Sequence, residues 1–96
     1  MHAAVRTYSG KGAQELFDVL EKKKAEVEHV LRGIKGFVSY SIVRTDNGGF
    51  TVSVFQDKTG VDDSIRGARD WITENAGSIG VAPPTISEGS VIMHLK

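Results

Sequence analysis

The sequence has no cysteine, which excludes disulfides, thiol catalysis and cysteine-ligated metal sites. Its two prolines are adjacent, at Pro83-Pro84, and punctuate a loop rather than separate one domain from another. No charge of one sign prevails, because twelve Lys and Arg balance twelve Asp and Glu. The basic surface of a nucleic-acid binder is therefore not expected. No apolar run approaches the roughly 20 residues of a membrane-spanning helix. The opening MHAAVRTYSG carries Arg6 inside a short apolar stretch, unlike a secretory leader, so a cytoplasmic location is the expectation. Three scattered histidines match no metal-ligand spacing, and SGKG is too short for a phosphate-cradling loop. Neither a metal nor a cofactor is expected.

What is present suits one globular domain over residues 1–96. Hydrophobic residues make up 40% and charged ones 25%, an ordinary balance. A chain of this length buries roughly 60–65% of its unfolded surface. Residues 2–8 (HAAVRTY) read as a strand ending at glycine-rich SGKG. From Ala13 the period changes: Leu16, Leu20, Val27, Leu31 and Ile34 recur at helical spacing, predicting one amphipathic helix that stops at Gly33 or Gly36. GFVSYSIVRTDNGGFTVSVFQD, residues 36–57, follows as two strands around Asp46-Asn47-Gly48-Gly49, a strong hairpin signal. Closing the turn on Thr45 and Phe50 pairs Val43 with Val52, Ser41 with Val54 and Tyr40 with Phe55. Thr59 and Asp62 suggest a capping box opening a second helix striped by Val61, Ile65, Ala68, Ile72 and Ala76 and stopped by Gly77. Residues 86–95 complete the series as a last strand.

The order β-α-β-β-α-β predicts an α+β, ferredoxin-like fold. Right-handed crossovers set the first and third strands at the centre of an antiparallel sheet, with both helices on one face. The hairpin raises a difficulty. One of its faces carries Phe37, Val43, Phe50, Val52 and Val54, and the other carries Val38, Tyr40, Ile42 and Phe55. A sheet with one wetted face should alternate apolar and polar residues cleanly, and this one does not. Two helices cover one face, so a second copy of the chain is expected on the other. That makes the protein a homodimer, with a cavity between each sheet and its helices or near the sheet-to-sheet seam.

The stretch GFVSYSIVRTDNGGFTVSVFQDKTGVDDSIRGARDWI resembles the antibiotic biosynthesis monooxygenase-like domains of the dimeric α+β barrel superfamily. The likeness lies in the strand opening with Gly-Phe after the first helix, the hairpin, and a helix carrying a tryptophan. It implies a homodimer with one small-molecule pocket per subunit. Some members are cofactor-independent monooxygenases of aromatic phenols or quinols, others degrade haem with an Asn, Trp and His set, and many have no known activity. Trp71 fits the tryptophan position, but the first strand has no Asn and no His follows Trp71 in the helix. The haem-degrading set is not matched.

Candidate residues can be named on this plan. Trp71 shares a helical row with Ser64, Gly67 and Asn75; the small neighbours leave room for a ligand to stack, or for the ring to fold over Gly67. His94, on the last predicted strand, is a candidate base near pH 7, although a terminal residue more often frays or meets a partner. Tyr40 and Arg44 share a strand face, with Ser53 and Phe55 across from them. Together these could hold an oxygenated aromatic ring, or form a plain cross-strand pair and a solvated tip. Tyr40, Asn75 and His94 are the catalytic candidates, and Trp71, Arg44, Phe55 and Ser53 the substrate-binding ones. Arg6 shares a face with Tyr8 on a central strand and needs a partner or a cavity; Glu88 is expected to supply an ion pair. The Lys22–Lys24 run reads as a solvated helix face. Two function classes follow: a monooxygenase acting on a small aromatic molecule, or a non-catalytic binding or sensing module. A sheet that binds RNA would need aromatic RNP positions and basic charge, and both are missing.

Overall fold

The computed structural model describes residues 1–96. Its elements run β1 (His2–Ser9), α1 (Ala13–Lys22), α2 (Lys24–Arg32), β2 (Phe37–Thr45), β3 (Gly48–Phe55), α3 (Lys58–Ala76) and β4 (Thr85–Ser90). The four strands form one sheet in the order β2-β3-β1-β4, antiparallel throughout. β1 and β3 are central, as the crossover rule requires. The ferredoxin-like plan holds, with several corrections of detail.

The first helix is two helices. Lys23, at φ −112 and ψ 25, interrupts the run without any proline or glycine to announce it. Leu16, Phe17 and Leu20 from α1 and Val27 and Leu31 from α2 still enter one core cluster with Tyr8, Ala13 and Ala76. The apolar spacing therefore survives the break. Lys23 is also not a solvated member of a lysine run, since its Nζ donates to Asn75 Oδ1 at 3.0 Å.

The hairpin closes two residues tighter than expected. Thr45 pairs with Gly48, Val43 with Phe50, Ser41 with Val52 and Tyr40 with Ser53, while Phe55 lies opposite Phe37 across a bulge. A two-residue slip leaves every side chain on its face, so the face assignment stands. The physical reason is close approach. A Cβ on Gly49 would collide with the Phe17 ring and the Val43 carbonyl, and one on Gly48, at φ 145, with the Tyr8 carbonyl. Both glycines belong inside β3, where only a bare backbone fits.

At the start of α3 the cap is Asp57, whose side chain accepts from Gly60 N–H at 3.2 Å, and not Thr59. At its end Gly77 continues into a turn of 3₁₀ helix (Gly77–Ile79), and Gly80 at φ 72 turns the chain away. β4 stops at Ser90, so His94 is beyond it. Ile92, Met93 and Leu95 in that tail are exposed.

All three helices lie over the face bearing Ala4, Arg6 and Tyr8 of β1, Tyr40 and Ile42 of β2, and Thr51, Ser53 and Phe55 of β3. The opposite face carries Val5, Val43, Phe50 and Val52 and has no helix on it. No helix of the chain is long and apolar enough to cross a membrane.

Candidate functional site

The inner face of the sheet should be its driest surface, yet it carries a guanidinium. Arg6 is only 6% exposed. Alternation along β1 puts it between Ala4 and Tyr8 on the helix side, paired across to Thr51 of β3 and to Ile86 of β4. Arg stays protonated at any ordinary pH, so the charge persists. A buried charge normally has an opposite charge beside it. Arg6 does not: none of the ion pairs in the molecule includes it. Its expected partner Glu88 is engaged at the sheet edge, 3.0 Å from Lys58 Nζ and 3.5 Å from His2 Nε2.

The contacts of Arg6 are phenols. Its Nη2 donates to Tyr40 Oη at 3.1 Å, and its Nη1 lies at a long 3.5 Å from Tyr8 Oη. Burial raises the Tyr8 pKa above the ordinary 10.0, against the opposing pull of the Arg6 charge. Tyr8 is therefore a neutral phenol at neutral pH and supplies no counter-charge.

A narrow slot opens beside this guanidinium. Arg6, Tyr8, Tyr40 and Thr51 form its floor, and Leu20, Val27, Val30, Gly67, Ala68 and Trp71 its walls and mouth; it encloses about 30 Å³. That is room for one or two waters; a ring would need the exposed Val30 and half-buried Trp71 to move aside. Gly67 matters here because a Cβ at that position would meet nothing nearer than Val30 Cγ1 at 4.0 Å. A second recess of about 210 Å³ reaches Arg6 and Tyr8 from the other edge of α3, between Ile65, Arg69 and Ile72 and the Val81–Pro84 segment.

Among the residues proposed from sequence, Tyr40 and Trp71 are brought together in the slot. Asn75 sits one turn along α3 on the outer side of Trp71, donating to the Trp71 carbonyl at 2.9 Å and lining a shallow surface groove. Phe55 and Ser53 are on the slot's side of the sheet but buried in packing. Phe55 stacks edge-on against Phe37 at 5.8 Å and packs with Ala4 and Val61. Arg44 is at the hairpin end, 2.9 Å from Asp18 and 3.7 Å from Glu21. His94 is in the tail after β4 and lines none of these cavities. No group of His, Asp or Glu is placed to hold a metal ion. Sequence reasoning put Arg6 and Tyr8 on one face of a central strand and gave Arg6 the wrong partner. The signal was available as a lone cation among apolar positions on a central strand.

No family model and no curated protein matches the sequence. Solved structures do. A protein of unknown function from Nitrosomonas europaea, NE2512, superimposes with a TM-score of 0.73 at 15% identity, over 99% of this chain and 91% of that one. The monooxygenase ActVA-Orf6 of Streptomyces coelicolor, solved with nanaomycin D, gives 0.68 at 18% identity over 99% and 90%. The chain has the antibiotic biosynthesis monooxygenase-like fold. MhuD, a heme-degrader from Mycobacterium tuberculosis with two hemes in its active site, aligns at 0.67 with 15% identity over the whole of both chains. At such identities the likeness establishes shared architecture alone.

Proposed function

We propose that the protein is a homodimeric small-molecule-binding protein of the monooxygenase-like fold, taking an aromatic phenol or quinol into the slot under α3 and oxygenating it without a cofactor. The observation that carries this reading is Arg6: a buried guanidinium with no carboxylate, at the floor of a slot whose mouth is framed by Trp71. Such a cation stabilises the ionised form of a bound phenol or enol, and an electron-rich carbanion is what reacts with oxygen unaided. For a ring methylene flanked by aryl groups, one oxygen atom becomes the new carbonyl. The other leaves as water with the two hydrogens, and the substrate supplies all four electrons. The residues proposed for this are Arg6 and Tyr40 at the developing oxyanion, Trp71 against the ring and Tyr8 below it. ActVA-Orf6, a monooxygenase on the same fold, supports the enzyme reading. The uncovered sheet face of Val5, Val43, Phe50 and Val52 supports the dimer.

A second reading rests on a specific observation: the slot contains no His, Asp or Glu that could take the substrate's proton, as a purely binding or sensing module would have it. Oxygen uptake on a panel of anthrones and quinols separates the two. The oxygenase reading expects uptake well above background on at least one, reduced by Arg6→Gln. No uptake on any compound, together with ligand-dependent thermal stabilisation, leaves the binding module. Sedimentation tests the dimer.

A further inference from the structure

Resting on the reading of the slot as a ligand site, we infer that its ligand is an oxyanion, an aryl carboxylate or phenoxide, and that Arg6 makes the site selective for that charge over neutral and cationic molecules of the same shape. Arg6 is buried, permanently charged and hydrogen-bonded only to hydroxyl groups. Arg44 has Asp18, Lys58 has Asp62 and Glu88, and Arg32 has Glu28, whereas Arg6, at the floor of the slot, has no carboxylate.

The space around Arg6 is arranged for a ligand to bring the missing charge. It is reached from two sides of α3, through the slot at Trp71 and through the recess whose rim carries Arg69. The only acidic group near Arg69 is its own neighbour Asp70, at 4.0 Å, so both guanidiniums bias the interior the same way. No acidic side chain lines either space to oppose them. Tyr40 Oη now accepts from Arg6. An arriving oxyanion would accept a hydrogen bond from the guanidinium, and the Tyr40 hydroxyl, which accepts from Arg6 and keeps its own O–H, would donate to the same oxygen. Charge-assisted bonds of this kind are the strong class.

The test titrates the full-length protein by the fluorescence of Trp71, its single tryptophan, with three naphthalene probes of one size: 1-naphthoate, 1-naphthalenemethanol and 1-naphthylmethylammonium. 2,4-Dinitrophenolate is a fourth arm that distinguishes phenoxide from carboxylate. The anions are expected to bind on the order of 10- to 100-fold tighter than the alcohol, and the ammonium weakest. Arg6→Gln should remove the preference, weakening the anions far more than the alcohol. Tyr40→Phe, a milder change that tests the inference even if the Arg6 variant fails to fold, should weaken the anions two- to tenfold and the alcohol less. Equal binding of naphthoate and alcohol overturns the inference while leaving the slot intact, and so does an anion preference that persists in both variants. Failure of every probe to bind, or binding indifferent to a Gly67→Leu plug, overturns the slot itself and this inference with it.

Discussion

The middle of the sheet's helix-facing side and the two ends of β3 are built on opposite terms. At the ends, where Gly49 and Phe55 lie, glycine is where it is because something presses on it: Phe17 lies directly over Gly49, and a Cβ on Gly60 would come within 2.7 Å of the fully buried Phe55 ring. Between them, at the slot lined by Arg6 and Thr51, Gly67 faces open space, and a buried charge lies there without a counter-charge. The first arrangement follows the ordinary rule that interiors are close-packed. The second leaves both a gap and an uncompensated cation in a domain too small to tolerate much of either. A gap and a charge in the same place are what a binding site requires and what stability opposes.

This contrast can be broken most forcefully at Gly49. Gly49→Ala drives a methyl group into the Phe17 ring and the Val43 carbonyl, and should cost about 3 kcal/mol in urea unfolding. A loss below about 0.5 kcal/mol would mean that the packed ends are as yielding as the open middle. Gly60→Ala, opposed by a side chain and not by backbone, should cost somewhat less, about 1–3 kcal/mol. At the open middle the sign reverses. Gly67→Ala should raise stability by about 0.5–1 kcal/mol, the usual gain of alanine over glycine inside a helix, while weakening naphthoate binding at Trp71. A variant that is both less stable and unaltered in binding would dissolve the distinction.

Tyr8 sharpens the comparison through pH. Its pKa is raised by burial, so the folded state holds that proton more tightly than the unfolded chain does. The corresponding stability is full below pH 10.0 and is lost as pH climbs from there through the folded value. Unfolding midpoints measured between pH 8 and 11 should therefore fall more steeply for the wild type than for Tyr8→Phe. Parallel curves would show that Tyr8 is not held neutral by its surroundings. The smallest effect is expected at the hairpin end, where Arg44→Ala removes partly exposed ion pairs and should change stability by no more than about 0.5 kcal/mol. It should leave probe binding unchanged.

The fold was legible because apolar period and turn chemistry are local. The stripe of α3, the hairpin signal and the strand order needed only neighbouring residues. The errors came where distant atoms decide. The hairpin register followed Phe17 pressing on Gly49 from another element, and the break at Lys23 has no local marker. Of the residues that line the slot, Tyr40 and Trp71 were named by face and spacing. The role of Arg6 was hidden because it depends on which carboxylate is absent. Glu88 is paired across from Ala4, not from Arg6, and Lys58 of α3 draws it to the sheet edge. No pattern along β1 encodes that competition.

The most direct measurement is equilibrium unfolding of Arg6→Met beside the wild type, each with and without 1-naphthoate. If Arg6 is present for a ligand, the variant should be more stable than the wild type by about 1–4 kcal/mol without the probe, as when buried ionic groups give way to well-packed apolar ones. Naphthoate should then stabilise the wild type alone. A variant several kcal/mol less stable, and still stabilised by naphthoate, would make Arg6 a structural strut between two tyrosines and contradict the account.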